Sequence, residues 1–206
     1  MSLPDRIVLA SSNAGKASEI NAMLAGHQVR IIPQSEFNVP AIEETGLTFV
    51  ENALLKARHA ARITGLPAIA DDSGIELDAL NGRPGIYSAR YAGAGASDAE
   101  NLKKLIDDVA QLPEDKRGCR FVCLMVYLRH AGDPIPLIAE GLWEGIAVTT
   151  PAGKNGFGYD PIFYVPTHHR TSAELSPKIK NRISHRGQAL RRLVAKLQAL
   201  YPAHAG

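Results

Sequence analysis

Two adjacent carboxylates, Asp71 and Asp72, follow the apolar run Ala68-Ile69-Ala70 and precede Ser73-Gly74. Carboxylates set beside a buried strand are costly unless they are paired or bind a metal. Hard oxygen ligands of this kind suit Mg²⁺ bridged to phosphates. Read as an extended turn at a strand end, the pair sends its side chains to opposite sides, so one carboxylate faces a ligand. An Asx-type turn with both acids in solvent accounts for the same residues.

Three further clusters could do related chemistry. In Ser11-Ser12-Asn13-Ala14-Gly15-Lys16 a strand leads through Asn and Gly-Lys into a helix. Backbone N–H groups at a positive helix end, with one ammonium, make an anion site. Ala10 and Ala17 depart from the P-loop pattern, and a plain strand-to-helix turn with a surface lysine also fits. The second cluster is Glu43-Glu44, followed by a helix on which Asn52, Lys56 and His59 recur at i, i+4 and i+7, opposite the apolar face. Lys56 could contact phosphate and the glutamates a metal; a solvated polar face is the alternative. The third is distributed. Gly153 to Asp160 supplies Gly153, Gly156 and Gly158, the aromatics Phe157 and Tyr159, and one acid, Asp160. Glycines admit a ligand close to the backbone, and an aromatic ring can stack on a base. Lys178, Lys180, Arg182, His185 and Arg186 then form a basic cluster opening the last helix, which a solvated helix face also explains, while Arg191, Arg192 and Lys196 are assigned to solvent. There is no Ser-His-Asp spacing, HExxH or CxxC motif, so side-chain nucleophiles lack support. Cations, carboxylates and a base-sized aromatic point to phosphate-ester chemistry with water as nucleophile.

These groups need a scaffold. The chain has 206 residues, enough to bury a core without disulfides, and its net charge of +2 does not by itself imply nucleic-acid binding. Cys119 and Cys123 lie about 13 Å apart if both are on one strand, too far for a disulfide, and are expected as buried thiols in a reducing compartment. The N-terminal residues lack a hydrophobic signal core, and the longest apolar run is far short of a membrane span. A cytoplasmic protein without membrane or nucleic-acid partners is expected.

Strands are expected at 7–10, 29–32, 68–70, 75–80, 121–128 and 136–148. Helices are expected at 16–24, 47–63 and 97–112, and after Ser176-Pro177. Val50, Ala53, Leu54, Ala57 and Ala61 form the apolar face of the second helix, which Gly65 stops. Ser97 and Glu100 form a capping box. Strand–helix alternation in the first half predicts parallel pairing, and the hairpin around Gly132-Asp133-Pro134 an antiparallel part. The expected fold is α/β: an elongated mixed β-sheet flanked by helices, a single domain over 1–206 with two lobes and a central active-site cleft.

Six segments, in order, resemble the inosine triphosphate pyrophosphatase family, the XTP/dITP diphosphatases. They are Ser11-Ser12-Asn13-Ala14-Gly15-Lys16; Glu43-Glu44-Thr45-Gly46-Leu47-Thr48-Phe49 with Glu51-Asn52-Ala53 and Lys56-Ala57; Ala70-Asp71-Asp72-Ser73-Gly74; Pro84 to Tyr91; Gly156 to Pro161; and Ser184-His185-Arg186-Gly187. Ser12 is a small departure, since many members carry Gly or Asn there. The resemblance implies a homodimeric, Mg²⁺-dependent enzyme. It would hydrolyse ITP, dITP and XTP between the α- and β-phosphates to a monophosphate and pyrophosphate, cleansing the nucleotide pool. Asp72 is then the proton acceptor, with Lys16 and Lys56 as catalytic cations and Glu43, Glu44 and Asp72 holding Mg²⁺. Ser11 to Lys16, Ser73, Phe157, Gly158, Tyr159, Asp160, Lys180, His185 and Arg186 bind the substrate. A broader pyrophosphatase acting on other modified nucleotides is the alternative.

Overall fold

The computed structural model describes residues 4–11, 20, 21, 24 and 29–201. The expected helix at 16–24 therefore lies largely outside the described residues. Seven strands form one mixed sheet in the order β2-β1-β3-β4-β5-β6-β7. They are β1 (Arg6–Leu9), β2 (Arg30–Pro33), β3 (Ala68–Leu77), β4 (Gly118–Leu128), β5 (Leu137–Ala147), β6 (Phe163–Val165) and β7 (Arg170–Thr171). β1 pairs in parallel with β2 and β3, whereas β6 is antiparallel to both β5 and β7. The helices are α1 (Phe49–Thr64), α2 (Asp98–Ala110), α3 (Pro177–Ile183) and α4 (His185–Leu200). Among the described residues, no helix is long and apolar enough to cross a membrane.

The chain divides into two compact units. One comprises residues 1–72, 124–140 and 189–206; the other comprises 73–123 and 141–188. In the first unit, α1 lays Ala53, Ala57, Ala60 and Ala61 against Val8, Ala68 and Ala70. Alanine costs a helix no side-chain entropy, and its small side chain lets the helix axis approach the strands closely. Thr48 caps α1, its Oγ accepting from the Glu51 N–H, and Gly65 ends it at φ 68°. In the second unit Leu77, Leu105, Phe121, Trp143 and Phe163 make the core. Cys119 and Cys123 are buried and free, and burial pushes the Cys119 thiol up to about 12, so it stays protonated.

Two expectations change. Asp71 and Asp72 are not in a turn: β3 runs unbroken from Ala68 to Leu77 and absorbs the start of the strand expected at 75–80, whose end forms a 3-10 turn at Asp78–Leu80. Carboxylates end strands when nothing repays their burial; here Asp72 has partners, described below. The basic cluster does not open a single helix, because α3 stops at Ile183 and α4 starts at His185. Arg192 and Lys196 are exposed, as expected, and their head groups are also bonded to the sheet. With Gln188 they donate to the carbonyls of Glu140, Ile138 and Leu142 at 2.6, 2.5 and 2.7 Å respectively. Four helical residues rise about 6 Å, close to the roughly 6.6 Å of two strand residues, so an i, i+4, i+8 row matches alternate carbonyls of β5.

The β4–β5 connection is locked by Asp133, whose side chain is 1% exposed. Its Oδ2 accepts from the Arg129 N–H and Nε, and its Oδ1 from Arg129 Nη2 and the Ile135 N–H. The hydrogen bonds from Arg129 hold its carboxyl well below the usual range. A depressed folded pKa contributes stability that is complete above the unfolded value of about 3.9 and is lost as pH falls from there through the folded value. Asp133→Ala is expected to cost about 3 kcal/mol in urea unfolding at pH 7. The gap between variant and parent should shrink as the pH is lowered toward 3.

Candidate active site

In the first unit, segment 43–47 is drawn onto the start of α1. Asn52 Oδ1 accepts from the Gly46 N–H at 2.8 Å, and Glu51 Oε2 accepts from the Leu47 N–H at 2.7 Å. A Cβ on Gly46 would sit 2.6 Å from Glu51 Cβ and 2.7 Å from Asn52 Oδ1, so only glycine permits this approach. It delivers Glu44 to Lys56, whose Nζ donates to Glu44 Oε1 at 2.8 Å and to Asp72 Oδ1 at 2.9 Å. Asn52 Nδ2 donates to the other oxygen, Asp72 Oδ2, at 3.3 Å.

Asn52 is fully buried. The Asn52–Lys56 row thus borders the buried stripe of α1 and is not a solvent face, as the helical wheel had suggested. His59 of the same row turns away and bonds the Pro40 carbonyl at 2.9 Å. Side chains alternate along a strand, which puts Asp72 on the face of Ala68 and Ala70, the face α1 covers.

The electrostatics of this group are opposed in sign. Burial raises the Asp72 pKa, and it outweighs the lowering by the Lys56 charge and hydrogen bond. For Lys56, burial would lower the pKa, but attraction to Asp72 and bonds to Glu44 and Asp72 raise it. The result is a permanently charged lysine beside a carboxylate more basic than an ordinary aspartate. Such a carboxylate is a stronger proton acceptor than an ordinary aspartate.

Among the described residues, no three His, Cys, Asp or Glu side chains gather as a self-sufficient metal site. Glu43 is exposed. Glu44 and Asp72 each give one oxygen to the Lys56 ammonium, and this shared partner sets two hard carboxylate donors close enough together to serve a metal beside it. That donor set fits Mg²⁺, which takes one or two carboxylates and fills its remaining sites with water and phosphate oxygens.

The second unit holds a pocket lined by Ser73, Ser88, Asp98, Phe121, the Phe157–Asp160 segment, Lys180, His185 and Arg186, with Gly74 and Ala89 completing it. The loop before it is shaped by Asp160, which is buried. Its Oδ1 accepts from Ser172 Oγ at 2.7 Å, while Oδ2 takes the Phe157 N–H at 2.9 Å and the Lys180 ammonium. Gly156 has φ 79°, and a Cβ there would lie 2.1 Å from Asp160 Oδ2. Phe157 is left 59% exposed, with Lys180 Nζ 5.3 Å and the Arg186 guanidinium 5.5 Å from its ring centre. Arg186 Nη2 donates to Ser73 Oγ at 3.0 Å. Tyr159 donates its hydroxyl to the Ser88 carbonyl, and the Gly158 N–H points to Asp98. His185 is buried and stacked on Phe121.

The structure thus brings Glu44, Lys56 and Asp72 together in one unit, and Ser73, Phe157, Gly158, Tyr159, Asp160, Lys180, His185 and Arg186 in the other. Ser11 is half-buried at the end of β1. Ser12, Asn13, Ala14, Gly15 and Lys16 lie outside the described residues. Sequence reasoning missed Asn52 as a partner of Asp72, and it missed Asp98 and Phe121 in the pocket. Asp98 was visible only inside a capping box, and an apolar strand residue such as Phe121 carries no signal beyond core. Ser88 and Ala89 sit in the Pro84–Tyr91 segment and could have been found there.

Residues 7–196 match the model of the Ham1 family. The chain is 60% identical to a dITP/XTP pyrophosphatase of Thioalkalivibrio sulfidiphilus over 193 residues, covering 94% of this chain and 98% of that one. It is 55% identical, with the same coverages, to a dITP/XTP pyrophosphatase of Shigella flexneri. A solved structure of a HAM1 protein from Coxiella burnetii superposes with a TM-score of 0.90 at 54% identity, covering 94% of this chain and 98% of that one.

Proposed function

Because this chain belongs to the Ham1 family, we propose that it hydrolyses non-standard purine nucleoside triphosphates (ITP, dITP and XTP) between the α- and β-phosphates, releasing the monophosphate and pyrophosphate. The observation that carries this reading is the 60% identity, across nearly the whole chain, to a dITP/XTP pyrophosphatase. The chain acts as one enzymatic domain, as a cytoplasmic homodimer.

Asp72 orients the attacking water and takes its proton. Lys56 keeps Asp72 ionised and adds positive charge for the phosphates, and Lys16 in the segment Ser11 to Lys16 adds a second cation there. Glu44 and Asp72, with Glu43, would hold Mg²⁺, which when bound would neutralise charge on the phosphate oxygens. Phe157 stacks on the base, and Lys180 and Asp160 hold that platform in place.

Selection follows from the 6-position. Hypoxanthine and xanthine present a carbonyl there, and adenine an amino group. Donors on Arg186 and His185 suit the carbonyl and oppose the amino group. A buried polar group left unpaired costs about 1–3 kcal/mol, or roughly 10- to 100-fold in discrimination. Guanine shares the carbonyl, so its rejection turns on its 2-amino group.

A kinetic panel of ITP, XTP, GTP and ATP with Mg²⁺ tests the reading; equal kcat/KM for ATP and ITP would refute it. Arg186→Ala should lower kcat/KM for ITP and narrow the ITP-to-ATP ratio by roughly 10-fold or more. An equal loss on both substrates would instead make Arg186 a phosphate ligand.

A further inference from the structure

Phe121 lies on β4, 8% exposed, and lines the pocket that also holds His185. The two rings stack at 4.7 Å between centres, 14° from parallel. Behind them Trp143 lies 6.4 Å from His185 at 19°, and Phe163 lies 4.5 Å from Phe121. His185 is therefore held flat against an aromatic floor built from β4, β5 and β6. The N–H bonds of an imidazole lie in its ring plane, so fixing the plane fixes the directions in which Nδ1 and Nε2 can donate or accept. His185 opens α4 directly after the Ser184 break, where Ser184 Oγ accepts from the Gly187 N–H. That hydrogen bond sets the backbone, and the ring packs face-on against Phe121. A terminal aromatic torsion has a broad minimum, so a face-on stack narrows the directions in which the ring edge can point.

We propose that Phe121 is a specificity-determining positioning residue, which sets the plane of the His185 imidazole and so the direction in which it reads the purine 6-substituent. The inference rests on the base-reading role assigned to His185 above. Phe121 touches no reacting atom; it acts through His185.

Phe121→Leu and Phe121→Met keep an apolar side chain of similar bulk and remove the flat ring, while Phe121→Tyr keeps it. An aromatic pair contributes about 0.5–1.5 kcal/mol beyond burial, so the ITP-to-ATP ratio of kcat/KM should fall roughly 2- to 10-fold in the Leu and Met variants. It should hold in the Tyr variant. Introduced into a His185→Ala background, Phe121→Leu should change the ratio no further. The ¹⁵N shifts of the His185 imidazole, read at the parent's pH, should move in the Leu and Met variants. An unchanged ratio in both of these, or an equal fall in the His185→Ala background, overturns the proposal, as does a fall in the Tyr variant matching that in Leu. If Leu and Met fail to fold, the Tyr variant and the His185 shifts of the parent decide: shifts that show a freely reorienting ring overturn it. A parent enzyme with no preference for ITP over ATP overturns the base-reading role itself, which separates the two failures.

Discussion

Asp72→Asn is expected to lower turnover of ITP by roughly 10²- to 10⁴-fold, the usual worth of a positioned general base, while leaving the fold intact. Asparagine keeps the shape of the side chain. Its amide oxygen can still accept from Lys56, as Asp72 Oδ1 does at 2.9 Å, and Lys56 retains Glu44 at 2.8 Å. What is lost is the ability to take a proton, together with the oxygen that accepts from Asn52 Nδ2. The pH profile makes the assignment specific. A base must be ionised to act, so activity falls as pH drops through its pKa. Because burial raises the Asp72 pKa above 3.8, the acid limb of kcat/KM should lie above the ordinary aspartate range, and Asp72→Asn should abolish it. A variant within a few-fold of wild-type turnover, or one that keeps the acid limb, would remove Asp72 from the chemistry.

Lys56→Met should have the second-largest effect, through the same carboxylate. The Lys56 side chain is 18% exposed and bridges Glu44 and Asp72. Methionine keeps most of the stem and deletes the charge. Glu44 and Asp72 then lose the ammonium they share. The lowering influence of Lys56 on Asp72 disappears, while that of Glu44, which raises it, remains. Asp72 should therefore stay protonated to higher pH. We expect the acid limb to move upward and stability to fall by about 2–3 kcal/mol, as for a partly buried pair that loses one partner. Turnover at neutral pH should fall at least as far as the shifted limb requires. An acid limb left in place would mean that Lys56 does not set the protonation of Asp72.

Asp72 also shows what the sequence could and could not say. The hydrophobic runs at 7–10 and 68–70 located strands β1 and β3, and the Ser97–Glu100 capping box located the start of α2, because each is a local pattern. The unbroken course of β3 was not legible. Two adjacent acids read locally as a turn, and the partners that repay the burial of Asp72, Lys56 and Asn52, are distant in the chain. Asn52 was misread for the same reason: helical periodicity marks it as polar, and its bonds to Gly46 and Asp72 make it worth burying. Asp160 appeared as a ligand-facing acid in a glycine loop. The structure spends both its oxygens on Ser172, Lys180 and the Phe157 N–H, contacts that no spacing rule displays. Arg192 and Lys196 looked like ordinary surface cations because the carbonyls they satisfy lie more than fifty residues away in the chain.

The central claim concerns which anhydride bond breaks, and product analysis reads it directly. With ITP and Mg²⁺, the account predicts that ³¹P NMR shows inosine monophosphate and pyrophosphate appearing together in equal amounts, with no diphosphate intermediate. Inosine diphosphate with orthophosphate as first products would contradict it.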